Sequence, residues 1–232
     1  MLPWEDDNPE LIVDAAEDED HFEAVMQLLL DELEKFATAS YPSGGAVWRH
    51  GDFVASTMLQ WKGGYDDGRL GRWTAEDLAE YMLGYFPRKV SVEPETLADV
   101  PECIVAFLRL LDDRGSLSGE PLEELEQVCT ELREEFQARA GSPDSWGLAK
   151  SMAMQMFAEG IDPCEPGAPD AWITGFNSRP RVDRDAVVGG ASERMLDAAK
   201  PGPGSAARKP ASQRRTQRKA QRVARKRSRR RG

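Results

Sequence analysis

The residues with the clearest chemistry are thirteen lysines and arginines concentrated near the C-terminus. They are Arg208, Lys209, Arg214, Arg215, Arg218, Lys219, Arg222, Arg225, Lys226, Arg227, Arg229, Arg230 and Arg231. Arginine outnumbers lysine ten to three, and the planar guanidinium group suits contact with phosphate. The segment has no aromatic side chain for base stacking. The sequence therefore predicts binding to the RNA or DNA phosphate backbone, without sequence readout.

The spacing of these bases also bears on their conformation. Arg215, Lys219, Arg222, Lys226 and Arg229 recur every three or four residues, which would align them on one helical face. The remaining bases cover the other faces, so the segment repels itself. We expect a disordered tail that becomes helical only when phosphates neutralise it.

Net charge separates the chain into two unlike parts. The 232 residues contain 30 Lys and Arg against 41 Asp and Glu, a net charge of −11. Residues 208–232 carry +13 and no acid, so residues 1–207 carry −24. We call residues 1–207 the body. Their negative charge argues against nucleic-acid binding by the body and makes a basic protein a second class of partner. In that alternative the acidic body is a protein-interaction module and the tail is an intramolecular electrostatic shield.

Residues that could support catalysis are few. His21 and His50 have no Ser, Cys or metal-type partner nearby in the sequence. The carboxylate pairs at 66–67 and 112–113 lie at predicted helix ends, where Asp is common for its backbone hydrogen bonds. The phosphate-binding, dinucleotide-binding, nucleophile-elbow and C-x-x-C motifs are absent. We expect no catalytic residue, no cofactor and no enzyme activity.

An aromatic and basic set in the middle of the chain allows two interpretations. Trp61, Tyr65, Trp73, Arg88 and Lys89 could form a partner surface for an anion or a peptide. Alternatively, the two tryptophans form a core seam between helices. The second interpretation is the one that the sequence favours.

Apolar spacing of three and four residues along most of residues 1–188 positions these groups on helices. The pattern predicts an all-α, compact bundle of six or seven helices. These cover about 18 residues around 22–36, then 53–65, 75–86, 101–114, 120–139, 143–159 and 171–176. No segment alternates as a strand does, and β-branched residues are sparse.

Local signals set several of the predicted boundaries. Thr74 and Asp77 form a capping-box-like pair at the start of the third helix. Pro87 should end that helix, because proline disfavours helical conformation in the residue before it. Ser142 or Asp144 should cap the sixth helix.

Composition divides the chain into four segments. We predict an acidic flexible N-terminus at 1–18, an acidic all-helical domain at 19–188, a Gly/Pro/Ser linker at 189–207 and the basic tail at 208–232. We expect a weak helix over 192–199 to interrupt the linker. The start lacks a secretory leader pattern, the longest apolar runs are too short to span a membrane, and three isolated cysteines fit a reducing compartment. We therefore expect a cytoplasmic protein.

Five short motifs resemble a known group of proteins. They are Trp61-Lys62-x-Gly64-Tyr65-x-Asp67-Gly68-x-Leu70, Trp73-Thr74, Pro87-Arg88-Lys89-Val90, Trp146-Gly147-x-Ala149-Lys150 and Phe176-Asn177-x-Arg179-Pro180. Over residues 50–188 the chain resembles the uncharacterised all-helical region of actinobacterial proteins that often end in a SEC-C zinc motif. The resemblance implies helices and supplies no reaction. Both histidines precede residue 51 and the last cysteine is Cys164, so we expect no zinc site.

Overall fold

A computed structural model describes residues 11–13 and 18–187, and these residues confirm the all-α prediction. The α-helices are α1 (Glu19–Ser40), α2 (Ala46–Tyr65), α3 (Ala75–Glu80), α4 (Phe86–Lys89), α5 (Val100–Asp113), α6 (Leu122–Gly141), α7 (Leu148–Ala158) and α8 (Ala168–Asn177). Residues 181–187 are also helical. The larger helix number arises mainly because the predicted third helix is divided into α3 and α4.

The hydrophobic core lies around α5. Nine of its fourteen residues are buried, including Pro101 in the predicted first turn. Helix α2 packs against both α1 and α5, and α5 packs in turn against α6. The apolar stripe of each helix therefore faces a neighbour, as an amphipathic helix requires.

The first two helices differ from the prediction at one boundary. Asp18 caps α1 by accepting a hydrogen bond from the backbone N–H of His21, at 3.0 Å. Helix α2 begins at Ala46 rather than near residue 53, because buried Val47 continues the apolar stripe toward the N-terminus. It also runs through Gly63, whose Cβ position lies 2.5 Å from the Phe22 ring. That glycine permits close packing of α1 on α2 and does not end the helix.

The prediction that a helix ends before Pro87 is wrong. Phe86 is helical (φ −58°, ψ −50°), and α4 continues through the proline. A π-helical turn, Tyr81–Tyr85, joins α3 to α4, with the N–H of Phe86 bonded to the carbonyl of Tyr81. Pro87 cannot donate to the carbonyl of Leu83, and Arg139 Nη1 donates to that carbonyl instead, at 3.4 Å. The wider π-helical turn before the proline and this side-chain hydrogen bond together allow Pro87 to lie within the helix.

Short extended segments tie the loops to the core. Arg72–Trp73 and Ser118–Gly119 pair in parallel, and Ile12 bridges Arg69. Sequence periodicity did not predict this pairing because two residues are too few to show alternation. Leu11 and Val13 are buried in the core, so the predicted flexible N-terminus does not describe residues 11–13.

The last described helices form a smaller apolar cluster of Met156, Trp172 and Phe176. Neither Ser142 nor Asp144 caps α7. Ser142 instead precedes a 3-10 turn, Pro143–Ser145, and α7 begins after Gly147 without a side-chain cap.

Candidate functional site

The two tryptophans of the predicted partner surface lie in the core. Trp61 and Trp73 are 3% and 0% exposed, and their rings are 5.9 Å apart. Tyr81 packs 5.9 Å from Trp61, and Phe86 packs 5.9 Å from Tyr81. This aromatic seam joins α2 to the α3–α4 segment. Burial therefore excludes Trp61 and Trp73 from a partner surface.

A fully buried cation lies against this seam. The Nζ atom of Lys62 is 2.7 Å from Asp66 Oδ2, 3.0 Å from Asp77 Oδ2 and 3.5 Å from Asp67 Oδ1, and its side chain is 0% exposed. The ammonium also lies 5.5 and 5.2 Å from the ring centroids of Trp61 and Trp73. Three carboxylates and two rings thus compensate the loss of water around the charge.

Asp77 connects this ion cluster to the start of α3. Its Oδ2 accepts from the backbone N–H of Thr74, while the Thr74 hydroxyl accepts from the N–H of Asp77. The predicted capping box is confirmed. Because the carboxylates at 66, 67 and 77 are all engaged with Lys62, the cluster positions α2 against α3 and the loop between them.

The remaining members of the predicted surface are exposed. We define the tyrosine–arginine patch as Tyr65, Tyr85, Arg88 and Lys89. Tyr65 is 47% exposed, and its ring lies 5.1 Å from that of half-buried Tyr85. Arg88 and Lys89 follow Tyr85 by three and four residues, the spacing that brings side chains to one helical face.

Two structural features hold the patch to the core. The ring of Tyr85 stacks on buried Tyr81 at 6.0 Å, and burial, followed by the effect of nearby Tyr65, raises the pKa of Tyr85 to about 12. The N–H of Gly147 donates to the carbonyl of Arg88 at 3.0 Å, and a Cβ at 147 would approach that oxygen to 2.7 Å. The Tyr85 ring and the Arg88 backbone of the patch are therefore held in place by neighbouring elements.

A second buried lysine is only weakly compensated. Lys150 is 2% exposed, and its Nζ donates to the carbonyl of Ala140 at 3.3 Å and lies 5.6 Å from the ring centroid of Trp146. The indole N–H of Trp146 donates to the same carbonyl at 2.8 Å. No carboxylate among residues 11–13 and 18–187 forms an ion pair with it, and burial lowers the pKa of Lys150 to about 8. Both side chains therefore donate hydrogen bonds to a backbone carbonyl at the C-terminal end of α6.

The histidines and cysteines occupy ordinary positions. His21 is exposed on α1, and His50 lies on α2 with its Nε2 3.6 Å from Asp99. Burial raises the pKa values of the Cys103 and Cys129 thiols to about 12, whereas Cys164 is exposed. Within residues 11–13 and 18–187, no group of three or more His, Cys, Asp or Glu side chains is arranged to hold a metal ion.

The predicted nucleic-acid-binding residues, from Arg208 to Arg231, lie outside the described residues, as does the predicted helix at 192–199.

Sequence reasoning missed both buried lysines, Lys62 and Lys150. A usable signal was available for Lys62, because Asp66 follows it by four residues, the helical ion-pair spacing. Trp146 and Lys150 have the same spacing.

In the part of the chain that the structure describes, no helix is both long and apolar enough to cross a bilayer. No protein-family model, curated protein or solved structure matches the chain. The resemblance to SEC-C-motif proteins stays a prediction.

Proposed function

We propose that this chain is a non-enzymatic cytoplasmic adaptor whose tail, residues 208–232, binds the phosphate backbone of RNA or DNA without sequence readout. The ribosome is one candidate place for this binding. The observation that carries the proposal is the separation of charge, with +13 in the tail and an excess of acid elsewhere. The described residues contain thirty-three Asp and Glu against fifteen Lys and Arg, a net charge of −18.

The ion pairs of the body support the assignment of phosphate binding to the tail. Many of its bases are already bound to carboxylates, which reduces their capacity to neutralise phosphate. Such pairs include Lys35–Glu32, Arg49–Asp99, Lys62–Asp77, Arg72–Asp67, Arg109–Glu126, Arg114–Glu32, Arg139–Glu135, Arg179–Glu159 and Arg181–Asp185.

The exposed face of α6 adds to the negative field. Its outward side chains include Glu123, Glu124, Glu131, Glu134 and Glu135. Like charges within a Debye length of about 8–10 Å repel a phosphate backbone at moderate salt. This face of α6 is therefore unfavourable for nucleic acid, and we assign the main phosphate contacts to the tail.

The test compares three proteins: the full chain, a chain ending at Ala207, and a full chain whose tail bases are replaced by Gln. Binding to single-stranded RNA, duplex RNA and duplex DNA is measured by fluorescence anisotropy. We expect the full chain to bind all three and the two altered chains to lose most of their affinity.

A variant with all tail arginines replaced by lysine is the matched control, because it keeps the +13 charge. It should retain most of the affinity if binding is chiefly electrostatic, with a modest loss from the missing bidentate contacts. Unchanged binding by the chain ending at Ala207 would overturn the proposal.

The exposed acidic face of α6 favours a second candidate function. In this alternative the body binds a basic protein partner and the tail shields that surface. Removal of residues 208–232 should then strengthen binding of a basic polypeptide such as polyarginine, whereas the adaptor proposal expects the shortened chain to lose most of its affinity for nucleic acid. The same truncation thus tests the two functions with two ligands: stronger polyarginine binding supports the second, and weaker nucleic-acid binding supports the first.

A further inference from the structure

The tyrosine–arginine patch differs in charge from the body around it. Arg88 and Lys89 are exposed at the end of α4, and neither side chain is in an ion pair within the described residues. Most other bases of the body are bound to carboxylates, as described above. The described residues have a net charge of −18, and within them these two adjacent cations form no ion pair, so they make a local site of the opposite sign.

The patch also contains an aromatic surface that is already ordered. Tyr65 is 47% exposed, and its ring lies 5.1 Å from Tyr85, which stacks on wholly buried Tyr81 at 6.0 Å. A ring supported in this way loses little conformational freedom when a ligand stacks on it. Its exposed part is therefore suited to a flat partner.

We propose that Tyr65, Tyr85, Arg88 and Lys89 bind an unpaired nucleobase together with its neighbouring phosphate, so that the body selects single-stranded over duplex nucleic acid. This inference rests on the proposed function of the tail. Tyr65 would stack on the base, and Arg88 and Lys89 would bind the phosphate. In a duplex the base faces are covered by neighbouring base pairs, so only the phosphate contacts remain.

The patch supplies a contact that the tail lacks. Residues 208–232 contain no aromatic side chain and can bind phosphate on any strand. Base–aromatic stacking is tolerant of sequence, and it depends less on salt than phosphate neutralisation does. Single-strand preference should therefore persist when salt weakens the tail.

The test uses the full chain and measures Kd for oligouridylate of about fifteen nucleotides, a length within the range of single-strand sites, and for duplex RNA of equal length. Tyr65→Leu should weaken single-strand binding about tenfold and leave duplex binding within about twofold, because stacking alone is lost. Tyr65→Phe keeps the ring and should bind as the parent does. Equal binding by Tyr65→Leu and the parent would overturn the inference.

Charge is tested separately by the double variant Arg88→Gln, Lys89→Gln. Its control is Arg133→Gln, which removes an exposed base of α6 that is in no ion pair within the described residues. We expect the double variant to weaken single-strand binding at least fivefold and the control to change it by less than about twofold. Equal effects of the two would show a general charge effect and contradict the site.

An acidic peptide is the competing ligand for these bases. Oligoglutamate binding that falls in the double variant, with oligouridylate binding unchanged, would assign the patch to peptides and overturn the inference. Thermal unfolding of each variant confirms that the fold is kept. If the chain ending at Ala207 loses all binding while Tyr65→Leu changes nothing in the full chain, the tail proposal stands and this inference fails.

Discussion

Lys62 Nζ and Asp77 Oδ2 lie 3.0 Å apart, and the lysine side chain is wholly buried. The pair links the end of α2 to the first turn of α3, since the same Asp77 oxygen accepts from the N–H of Thr74. Asp66 and Asp67 also form ion pairs with the Lys62 ammonium. This cluster holds the segment from which Tyr65 projects.

Replacement of Lys62 by Met should strongly destabilise the fold. The change leaves buried carboxylates without their counter-ion, and removal of one partner from a buried pair costs about 3–5 kcal/mol. The free energy of unfolding is measured by urea denaturation. Lys35→Met is the control: this lysine is largely exposed, and its partner Glu32 keeps a second ion pair with Arg114, so the effect should be much smaller. Equal losses from the two substitutions would contradict a structural role for the cluster.

Substitution by Ala should destabilise the fold at Gly63 but not at Gly64. A Cβ at Gly63 would lie 2.5 Å from the Phe22 ring, whereas nothing lies within 4 Å of one at Gly64. We expect Gly63→Ala to cost about 1–3 kcal/mol through overpacking between α1 and α2. Gly64→Ala should be neutral or stabilise by up to about 1 kcal/mol through reduced unfolded-state entropy.

Thermal or urea unfolding of the two adjacent variants provides the comparison. A loss at Gly64 as large as that at Gly63 would show that the effect belongs to helix ends in general and not to the contact with Phe22.

The sequence predicted helix positions well and side-chain environments less well. Periodic apolar residues give α1, α5 and α6 because each helix buries one stripe. The end at Pro87 was mispredicted because the outcome depends on a non-local contact, the bond from Arg139 to the Leu83 carbonyl. The burial of Lys62 and Lys150 was missed for a similar reason, since their partners include residues more distant in the chain or on another helix.

The pH dependence of stability should reveal Lys150. Burial lowers its folded-state pKa to about 8, against an ordinary value of 10.5. Below pH 8 the charged form is buried and the full cost applies, at most about 3 kcal/mol. Between pH 8 and 10.5 the unfolded state binds more protons, so this group makes stability rise with pH.

Lys150→Met should remove that rise and be neutral or stabilising at pH 7, because it replaces a poorly compensated buried charge. Urea unfolding of both proteins from pH 7 to 10.5 checks this, and the difference between them removes the contribution of other titrating groups. A parallel pH dependence in the two proteins would show that Lys150 is not buried as a charge.

Thiol labelling should distinguish the three cysteines. Cys164 is exposed, while Cys103 and Cys129 are buried and have pKa values raised to about 12 by that burial. Only the thiolate is nucleophilic, so one thiol should react with Ellman's reagent in the native protein at pH 8 and all three after unfolding. Rapid reaction of three native thiols would contradict the packing of α5 against α6.

The salt dependence of binding tests the central proposal most directly. For single-stranded RNA, log K should fall against log salt with a slope of about −0.7 per phosphate neutralised, and the chain ending at Ala207 should lose most of this slope. A full-chain variant with five tail bases changed to Gln should show a proportionally smaller slope. If the slope is the same with and without residues 208–232, or the full chain does not bind at low salt, the tail is not a phosphate-binding arm.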